Sequence, residues 1–198
     1  MVWLGLVLSV SIGFALLRGG RLLHLADIHL KLWWLLLIGF AMQFSTVFLP
    51  DDTDWAFRTG VALILTSYIP LIAVVIANRE RTGMLLTGLG IVMNFTVIAL
   101  NGGMPVLGEA AQVAGDFQSN VAILNDHKHV LLDHTSRLTF LADVIPLRAF
   151  GVGQVLSVGD VFLAVGLGAF LEAELRRPIH WFKHGAAGQA GSASGRPD

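Results

Sequence analysis

The sequence of 198 residues contains no cysteine and few charged residues. The lack of cysteine excludes disulfide bonds and thiolate metal sites, and it leaves the redox state of the compartment open. Charged residues make up only 14% of the chain, and the formal net charge is −1 at pH 7. Because nucleic-acid binding needs a clustered basic surface, this composition argues against nucleic acid as a partner.

Apolar residues dominate the sequence instead. They make up 55% of the chain, and the mean hydropathy is +0.70. A water-soluble core does not need so much apolar surface, so the composition indicates a membrane protein. We expect one transmembrane domain over residues 1–184 and a disordered cytoplasmic tail over residues 185–198, where Gly, Ala and Ser prevail.

Five apolar runs predict membrane-spanning helices, since each crossing takes about 20 residues. The runs are Val2–Leu17, Leu32–Leu49, Ala56–Ala77, Gly83–Leu100 and a last one from about Val155 to Glu172. The first run has no basic residues before it and no small-residue cleavage pattern after it, so we interpret it as a retained helix. The sequence therefore predicts an all-α integral membrane protein with about five transmembrane helices.

The distribution of basic residues predicts the orientation of these helices. Under an N-out, C-in topology, nine basic residues face the cytoplasm: Arg18, Arg21, Lys31, Arg79, Arg81, Arg176, Arg177, Lys183 and Arg196. Four lie outside: Arg58, Lys128, Arg137 and Arg148. This excess agrees with the positive-inside rule, so we predict N-out, C-in.

A long stretch, Asn101 to Gln154, separates the fourth and fifth runs on the outer side. It opens with Asn101-Gly102-Gly103-Met104-Pro105, where glycine and proline chemistry indicates a turn. From Asp126 to Asp143, apolar residues recur at helical spacing. We therefore predict an amphipathic outer-face helix between transmembrane helices four and five.

Polar residues at the start of that predicted helix suggest a metal site. His129 and Asp133 are four residues apart, and His127 and His134 are seven apart, so each pair would share a helix face. Imidazole and carboxylate groups are common zinc ligands. The alternative is an ordinary polar start of a surface helix, and the residues leave both interpretations open.

Two aspartates, Asp143 and Asp160, are the candidate catalytic residues. We expect both near the outer interface, where two close carboxyl groups can share a proton and activate water. Asn101, at the outer end of the fourth helix, is the candidate for positioning a substrate. The alternative is structural: Asp160 would stabilise the N-terminus of the last helix, and Asp143 would end an interfacial helix.

The segments around these aspartates resemble the type II (lipoprotein) signal peptidases. Leu141-Ala142-Asp143 resembles the end of the family's first aspartate segment, and Ser157-Val158-Gly159-Asp160 resembles its second motif. The resemblance implies that Asp143 and Asp160 form a catalytic dyad. It covers about the last quarter of the chain.

Over most of its length, the chain is similar to a family of small bacterial membrane proteins of unknown function. The similarity rests on Asn101-Gly102-Gly103-Met104-Pro105, His129, Thr135, Leu138, Asp143 and Ser157-Val158-Gly159-Asp160. It implies a multi-pass helical protein in the bacterial inner membrane, and it supplies no activity.

Two functional hypotheses follow from these residues. The first is an intramembrane aspartyl hydrolase that acts on a lipid-anchored or other membrane-bound substrate. The alternative is a non-catalytic membrane subunit, or a protein that binds a lipid, a quinone or a metal. Membrane lipids are expected partners in both cases, other membrane subunits are expected in the second, and the sequence does not identify a cofactor.

Overall fold

The computed structural model of the protein describes residues 2–22, 28–50, 53–115, 128–149 and 152–176. Within these ranges lie six α-helices: α1 Val2–Leu17, α2 Trp34–Ser45, α3 Asp54–Ala77, α4 Met84–Asn101, α5 Gly108–Ala114 and α6 Val158–Leu175. Four short strands lie between α4 and α6: β1 Met104–Val106, β2 His129–Leu131, β3 Ile145–Ala149 and β4 Val152–Leu156. The predicted mainly helical fold is confirmed, but the chain is not purely α-helical.

Two helices, α3 and α4, are long and apolar enough to cross a membrane. α1 and α2 are also apolar, but they are shorter. Large apolar side chains on α3 and α4 remain exposed, among them Ile69, Ile76, Leu85 and Leu89. Exposed apolar helix faces of this kind suit a lipid environment better than water. The number of five crossings stays a prediction.

α4 and α6 run antiparallel and contact each other backbone to backbone. Glycines seven residues apart form the contact: Gly83, which directly precedes α4, and Gly90 on one side, and Gly159 and Gly166 of α6 on the other. A Cβ on Gly90 would lie 2.4 Å from the carbonyl oxygen of Gly159, and one on Gly166 would lie 2.4 Å from the amide nitrogen of Thr87. Side chains larger than hydrogen do not fit, so these glycines allow the two helices to pack closely.

Ion pairs connect the helices at one end of this group, which we call the charged end. Arg81 follows α3, and its Nη1 lies 3.0 Å from Oε1 of Glu174 on α6. Arg18 follows α1, and its Nη1 lies 3.5 Å from Oε1 of Glu172. The charged end therefore brings together the C-terminal ends of α1, α3 and α6 with the beginning of α4.

We define the outer segment as residues 102–157, and its described parts, residues 102–115, 128–149 and 152–157, lie at the opposite end. Its centre is β1, which is fully buried and pairs in parallel with β2, so that Met104 lies opposite His129. On the other side of β1, Val106 forms a parallel bridge with Asp143. β3 and β4 form an antiparallel hairpin, and α5 packs through buried alanines.

The predicted amphipathic helix from Asp126 to Asp143 is wrong over the described residues 128–143. Residues 129–131 form β2 because the buried backbone groups of β1 need hydrogen-bond partners. Asp133 then forms a turn, and Leu138 adopts a left-handed conformation with φ 53° before a short 3₁₀ turn at Thr139–Leu141. Among the described residues between α4 and α6, the α-helix is α5, at Gly108–Ala114.

Candidate functional site

The backbone of Asp143 is held against the central strand of the outer segment. Its amide donates a hydrogen bond of 2.9 Å to the carbonyl oxygen of Pro105, and its carbonyl oxygen accepts one of 2.9 Å from the amide of Leu107. Asp143 thus extends the sheet by one residue on the side of β1 opposite β2. This pairing fixes Asp143 in the interior, where only 4% of the residue is exposed.

The carboxyl group of Asp143 faces a histidine from β2. Nε2 of His129 lies 3.5 Å from Oδ2 of Asp143, and the His129 side chain is 14% exposed. Oδ1 of Asp143 is buried and has no hydrogen-bond partner within the ranges that the structure describes. A buried carboxyl oxygen without a partner is costly, so the position of this oxygen needs an explanation other than packing.

Burial is the main influence on the protonation of Asp143, and it raises the pKa of this carboxyl. The contact with His129 and the positive charge of Lys128 lower the pKa and oppose this effect, whereas the negative charge of Asp160 adds to it. The pKa of Asp143 is raised overall. Asp143 therefore keeps its proton to a higher pH than an exposed aspartate does.

Asp160 has different surroundings, because both of its carboxyl oxygens accept hydrogen bonds. The amide of Ser157 donates to Oδ2 at 3.1 Å, and Oγ of Ser157 accepts from the amide of Asp160 at 3.0 Å. This reciprocal pair is a capping box at the start of α6. The alternative prediction, that Asp160 stabilises the N-terminus of the last helix, is confirmed.

Asn94 connects Asp160 to the middle of α4. Its Nδ2 donates to Oδ1 of Asp160 at 2.8 Å, and its Oδ1 accepts from Oγ of Ser157 at 3.0 Å. Asn94 lies seven residues before Asn101, the last residue of α4, which corresponds to about 10 Å along the helix axis. Asp160 thus lies deeper among the helices than predicted from the sequence.

The two candidate catalytic aspartates are brought into the same neighbourhood. The amide of Val144, next to Asp143, donates a hydrogen bond of 3.2 Å to the carbonyl oxygen of Leu156, four residues before Asp160. Both aspartates belong to the described residues, and no hydrogen bond joins their carboxyl groups. The direct partner of Asp143 is His129, so the geometry favours an Asp–His pair with a second carboxylate nearby. The catalytic role of either aspartate stays a prediction.

Asn101 holds the loop that follows β2. Its Nδ2 donates to the carbonyl oxygens of Val97 at 2.8 Å and Arg137 at 2.9 Å. Its Oδ1 accepts from the amide of Arg137 at 2.7 Å. Asn101 also lines an open cleft of about 410 Å³ at the end of α4, together with Leu100, Val130, Leu131, Asp133, Thr135, Ser136 and Arg137.

The predicted metal ligands do not meet in the described part of the chain, which contains no group of three or more residues suited to hold a metal ion. His129 contacts Asp143 instead of Asp133. Oδ1 of Asp133 accepts hydrogen bonds from the amides and hydroxyls of Thr135 and Ser136. His134 is exposed in the same turn, and His127 lies outside the described residues.

Sequence reasoning did not assign a functional role to Asn94, Ser157 or Lys128. A signal for Ser157 was present, because a serine three residues before an acidic residue at the start of an apolar run indicates a capping box. Asn94 shares a helix face with Asn101, but nothing in the sequence indicates that it reaches Asp160. Lys128 gains its influence on Asp143 only through the pairing of β2 with β1.

Comparison with known proteins places this site in an established family. Residues 27–171 match the model of a family of unknown function (DUF5317). The chain belongs to this family. The similarity predicted from the sequence is thereby confirmed, and the matched range includes α2, α3, α4, the outer segment and most of α6.

An uncharacterised protein of Thermotoga maritima is 33% identical to the chain over 113 residues, which cover 54% of this chain and 61% of that protein. The match therefore spans about three-fifths of the relative's length. No solved structure matches the chain. These findings do not support the local resemblance to type II signal peptidases, and they assign no activity to the family.

Proposed function

We propose that the chain is a multi-pass protein of the bacterial inner membrane with about five crossings and an N-out, C-in orientation. The two long apolar helices and the exposed apolar side chains on them support membrane insertion. Arg18, Arg81 and Arg176 lie at the charged end, each just after a helix that ends in the cytoplasm under this topology. The positive-inside rule therefore favours the charged end as the cytoplasmic one.

We further propose that the chain is an intramembrane hydrolase that uses Asp143 as its proton-transferring group. The observation that carries this proposal is the buried Asp143 carboxyl, with one oxygen beside His129 and the other without a hydrogen bond from the described residues. A carboxyl with a raised pKa keeps its proton to a higher pH and can donate it to a leaving group. The unpartnered oxygen is the atom that would contact a substrate or an attacking water.

His129 and Asp160 have separate roles in this proposal. His129 exchanges protons with Asp143, because imidazole titrates near neutral pH and its partial exposure connects the buried carboxyl to the surroundings. Asp160 is a positioning residue: Asn94 and Ser157 fix its carboxylate, and its charge helps keep Asp143 protonated. This division replaces a symmetric dyad of two aspartates.

A cleavage assay with protein reconstituted in lipid vesicles tests the hydrolase. Lipid-modified precursor proteins and bacterial phospholipids are supplied together, and products are followed by gel shift and mass spectrometry. Loss of a general acid lowers the rate about 10²–10⁴-fold, so we expect Asp143→Asn to abolish product formation. Glu109→Gln is the matched control, because Glu109 is an exposed acidic residue of the same segment that does not line the cleft.

The outcomes separate the hydrolase from the alternative. Equal product with the wild type and with Asp143→Asn would contradict a role of Asp143 in catalysis. No product from folded wild-type protein would remove the hydrolase reading for these two substrate classes. The second candidate, a non-catalytic binding protein, would then lead.

The second candidate is favoured by the burial of Asp143, since a residue that is 4% exposed offers little access for a large substrate. A small polar group, such as a quinone carbonyl, could accept a hydrogen bond from the protonated carboxyl. Mass spectrometry of lipids and quinones that co-purify with the wild type, but not with Asp143→Asn, would support this function.

A further inference from the structure

The open cleft beside Asn101 has a composition that the proposed hydrolase does not explain. Its lining combines apolar Leu100, Val130 and Leu131 with two charged residues, Asp133 and Arg137. The cleft lies at the end of α4, one of the two helices able to cross a membrane. In a bilayer, the end of such a helix lies at the depth of the lipid headgroups.

The two charged side chains in the cleft do not interact with each other. Asp133 and Arg137 form no ion pair, and the Arg137 guanidinium has no hydrogen bond or ion pair with any residue that the structure describes. Of the two carboxyl oxygens of Asp133, Oδ1 accepts the hydrogen bonds of the turn. A negative and a positive group are thus both available to a ligand in one cleft.

Both charged residues are held in place by their backbones. Asn101 binds the amide and the carbonyl oxygen of Arg137, which fixes this loop to the end of α4. The hydrogen bonds from Thr135 and Ser136 lower the pKa of Asp133, so its carboxylate stays charged at neutral pH. The carboxylate of Asp133 and the backbone of Arg137 are thus already positioned, which lowers the conformational entropy lost when a ligand binds.

We propose that this cleft binds the headgroup of a zwitterionic phospholipid with a primary amine. Arg137 would contact the phosphate, since guanidinium matches the geometry of phosphate oxygens. Asp133 would accept hydrogen bonds from the ammonium group, and the apolar lining would contact the glycerol and the first acyl carbons. The proposal rests on the membrane placement proposed above, but it does not depend on hydrolase activity.

Native mass spectrometry of the purified full chain in detergent tests this site. Phosphatidylethanolamine, phosphatidylcholine and phosphatidylglycerol are titrated separately, and competition is measured with phosphoethanolamine and with inorganic phosphate. Arg137→Gln removes the phosphate contact, while Asp133→Asn keeps the Oδ1 that the turn requires. Arg148→Gln is the matched control, because Arg148 is an exposed arginine of β3 that does not line the cleft.

We expect the wild type to bind phosphatidylethanolamine most tightly. Arg137→Gln should weaken binding of phosphatidylethanolamine and phosphatidylglycerol about tenfold or more, the effect of one charge-assisted hydrogen bond. Asp133→Asn should remove the preference for phosphatidylethanolamine over phosphatidylglycerol and leave binding of the latter unreduced. Arg148→Gln should bind like the wild type.

Three results would overturn the proposal. One is equal binding by Arg137→Gln and Arg148→Gln, and another is a wild type without preference for the primary amine. The third is displacement of bound lipid by inorganic phosphate as effectively as by phosphoethanolamine, which would indicate a site for free anions. Because the readout is lipid binding, failure of the cleavage assay leaves this proposal intact. Release of the protein from membranes by alkaline carbonate would contradict the membrane placement itself.

Discussion

Two buried carboxyl groups, one at the charged end and one in the outer segment, have opposite surroundings. Glu174 is 5% exposed and lies 3.0 Å from an arginine nitrogen. Asp143 is equally buried, but its contact is a histidine nitrogen at 3.5 Å, and its second oxygen has no partner among the described residues. Arginine stays charged at all relevant pH values, whereas histidine titrates near neutrality. The charged end is therefore a fixed structural contact, while Asp143 can exchange a proton.

The largest effect should come from removing the partner of Glu174. Arg81→Met removes the positive charge that lies 3.0 Å from this buried carboxylate, so we expect a loss of about 3–5 kcal/mol in the free energy of unfolding. Denaturation in detergent, followed by circular dichroism, measures this loss. Arg79→Met is the matched control, because Arg79 is an exposed arginine in the same turn. A second substitution, Glu174→Leu, should recover most of the stability, and no recovery would contradict the pair as the cause.

A smaller loss should follow from separating α4 and α6 near the Asp143 end. A Cβ on Gly159 would lie 2.0 Å from Oδ1 of Asn94, so Gly159→Ala must displace the asparagine that binds Asp160. We expect a loss of about 1–3 kcal/mol in unfolding free energy. Gly13→Ala in α1 is the control, since its Cβ would meet no atom within 4 Å. A comparable loss in both variants would refute the close packing of the two helices.

Substitution of Asp143 should change mainly how the free energy of unfolding depends on pH, and less the size of that free energy at any one pH. Because the pKa of Asp143 is raised from its ordinary value of 3.8, the folded chain binds this proton more tightly than the unfolded chain does. The free energy of unfolding should then fall as pH rises from about 3.8 to the raised pKa. Asp143→Asn should remove this decrease in a series of unfolding curves. An unchanged pH profile would show that Asp143 ionises alike in both states.

Asp133 provides a contrast of opposite sign in that experiment. Its pKa is lowered by hydrogen bonds from Thr135 and Ser136, so its contribution is present above the ordinary value and is lost as pH falls through the lowered one. Asp133→Asn should therefore flatten the acid side of the profile only.

The smallest effect is expected for Glu172, which belongs to the same charged end as Glu174. Glu172 contacts Arg18 at 3.5 Å and Arg176 at 2.9 Å, and both arginines are largely exposed. Exposed ion pairs contribute little, so Glu172→Gln should change unfolding free energy by less than about 0.5 kcal/mol. A loss as large as that of Arg81→Met would mean that burial does not distinguish the two pairs.

The helices were the part of the fold that the sequence predicted best. α3 and α4 fall almost entirely within the predicted runs, because long apolar stretches between polar ends have one dominant solution. The outer segment was predicted poorly. His129–Leu131 lies within a stretch whose apolar residues have helical spacing. It forms a strand nevertheless, because β1, more than 20 residues away in the sequence, offers it backbone hydrogen bonds.

The candidate site was predicted only as a set of residue types. Asp143 and Asp160 are close in the structure, but the partner of Asp143 is His129. Spacing assigned that histidine to a metal site with Asp133, since both were placed on one helix face. The structure separates these two residues, because His129 lies in β2 whereas Asp133 lies in the turn that follows it.

The hydrogen bond between Asn94 and Asp160 joins residues that are 66 positions apart in the chain. During synthesis at 5–20 residues per second, about 3–13 s pass between the two residues leaving the ribosome's catalytic centre. For that interval, the glycine face of α4 and the amide of Asn94 lack the helix that covers them. Biogenesis therefore passes through a stage in which α4 has been synthesised but α6 has not. During that stage, a chaperone or an insertase can bind the side-chain amide of Asn94.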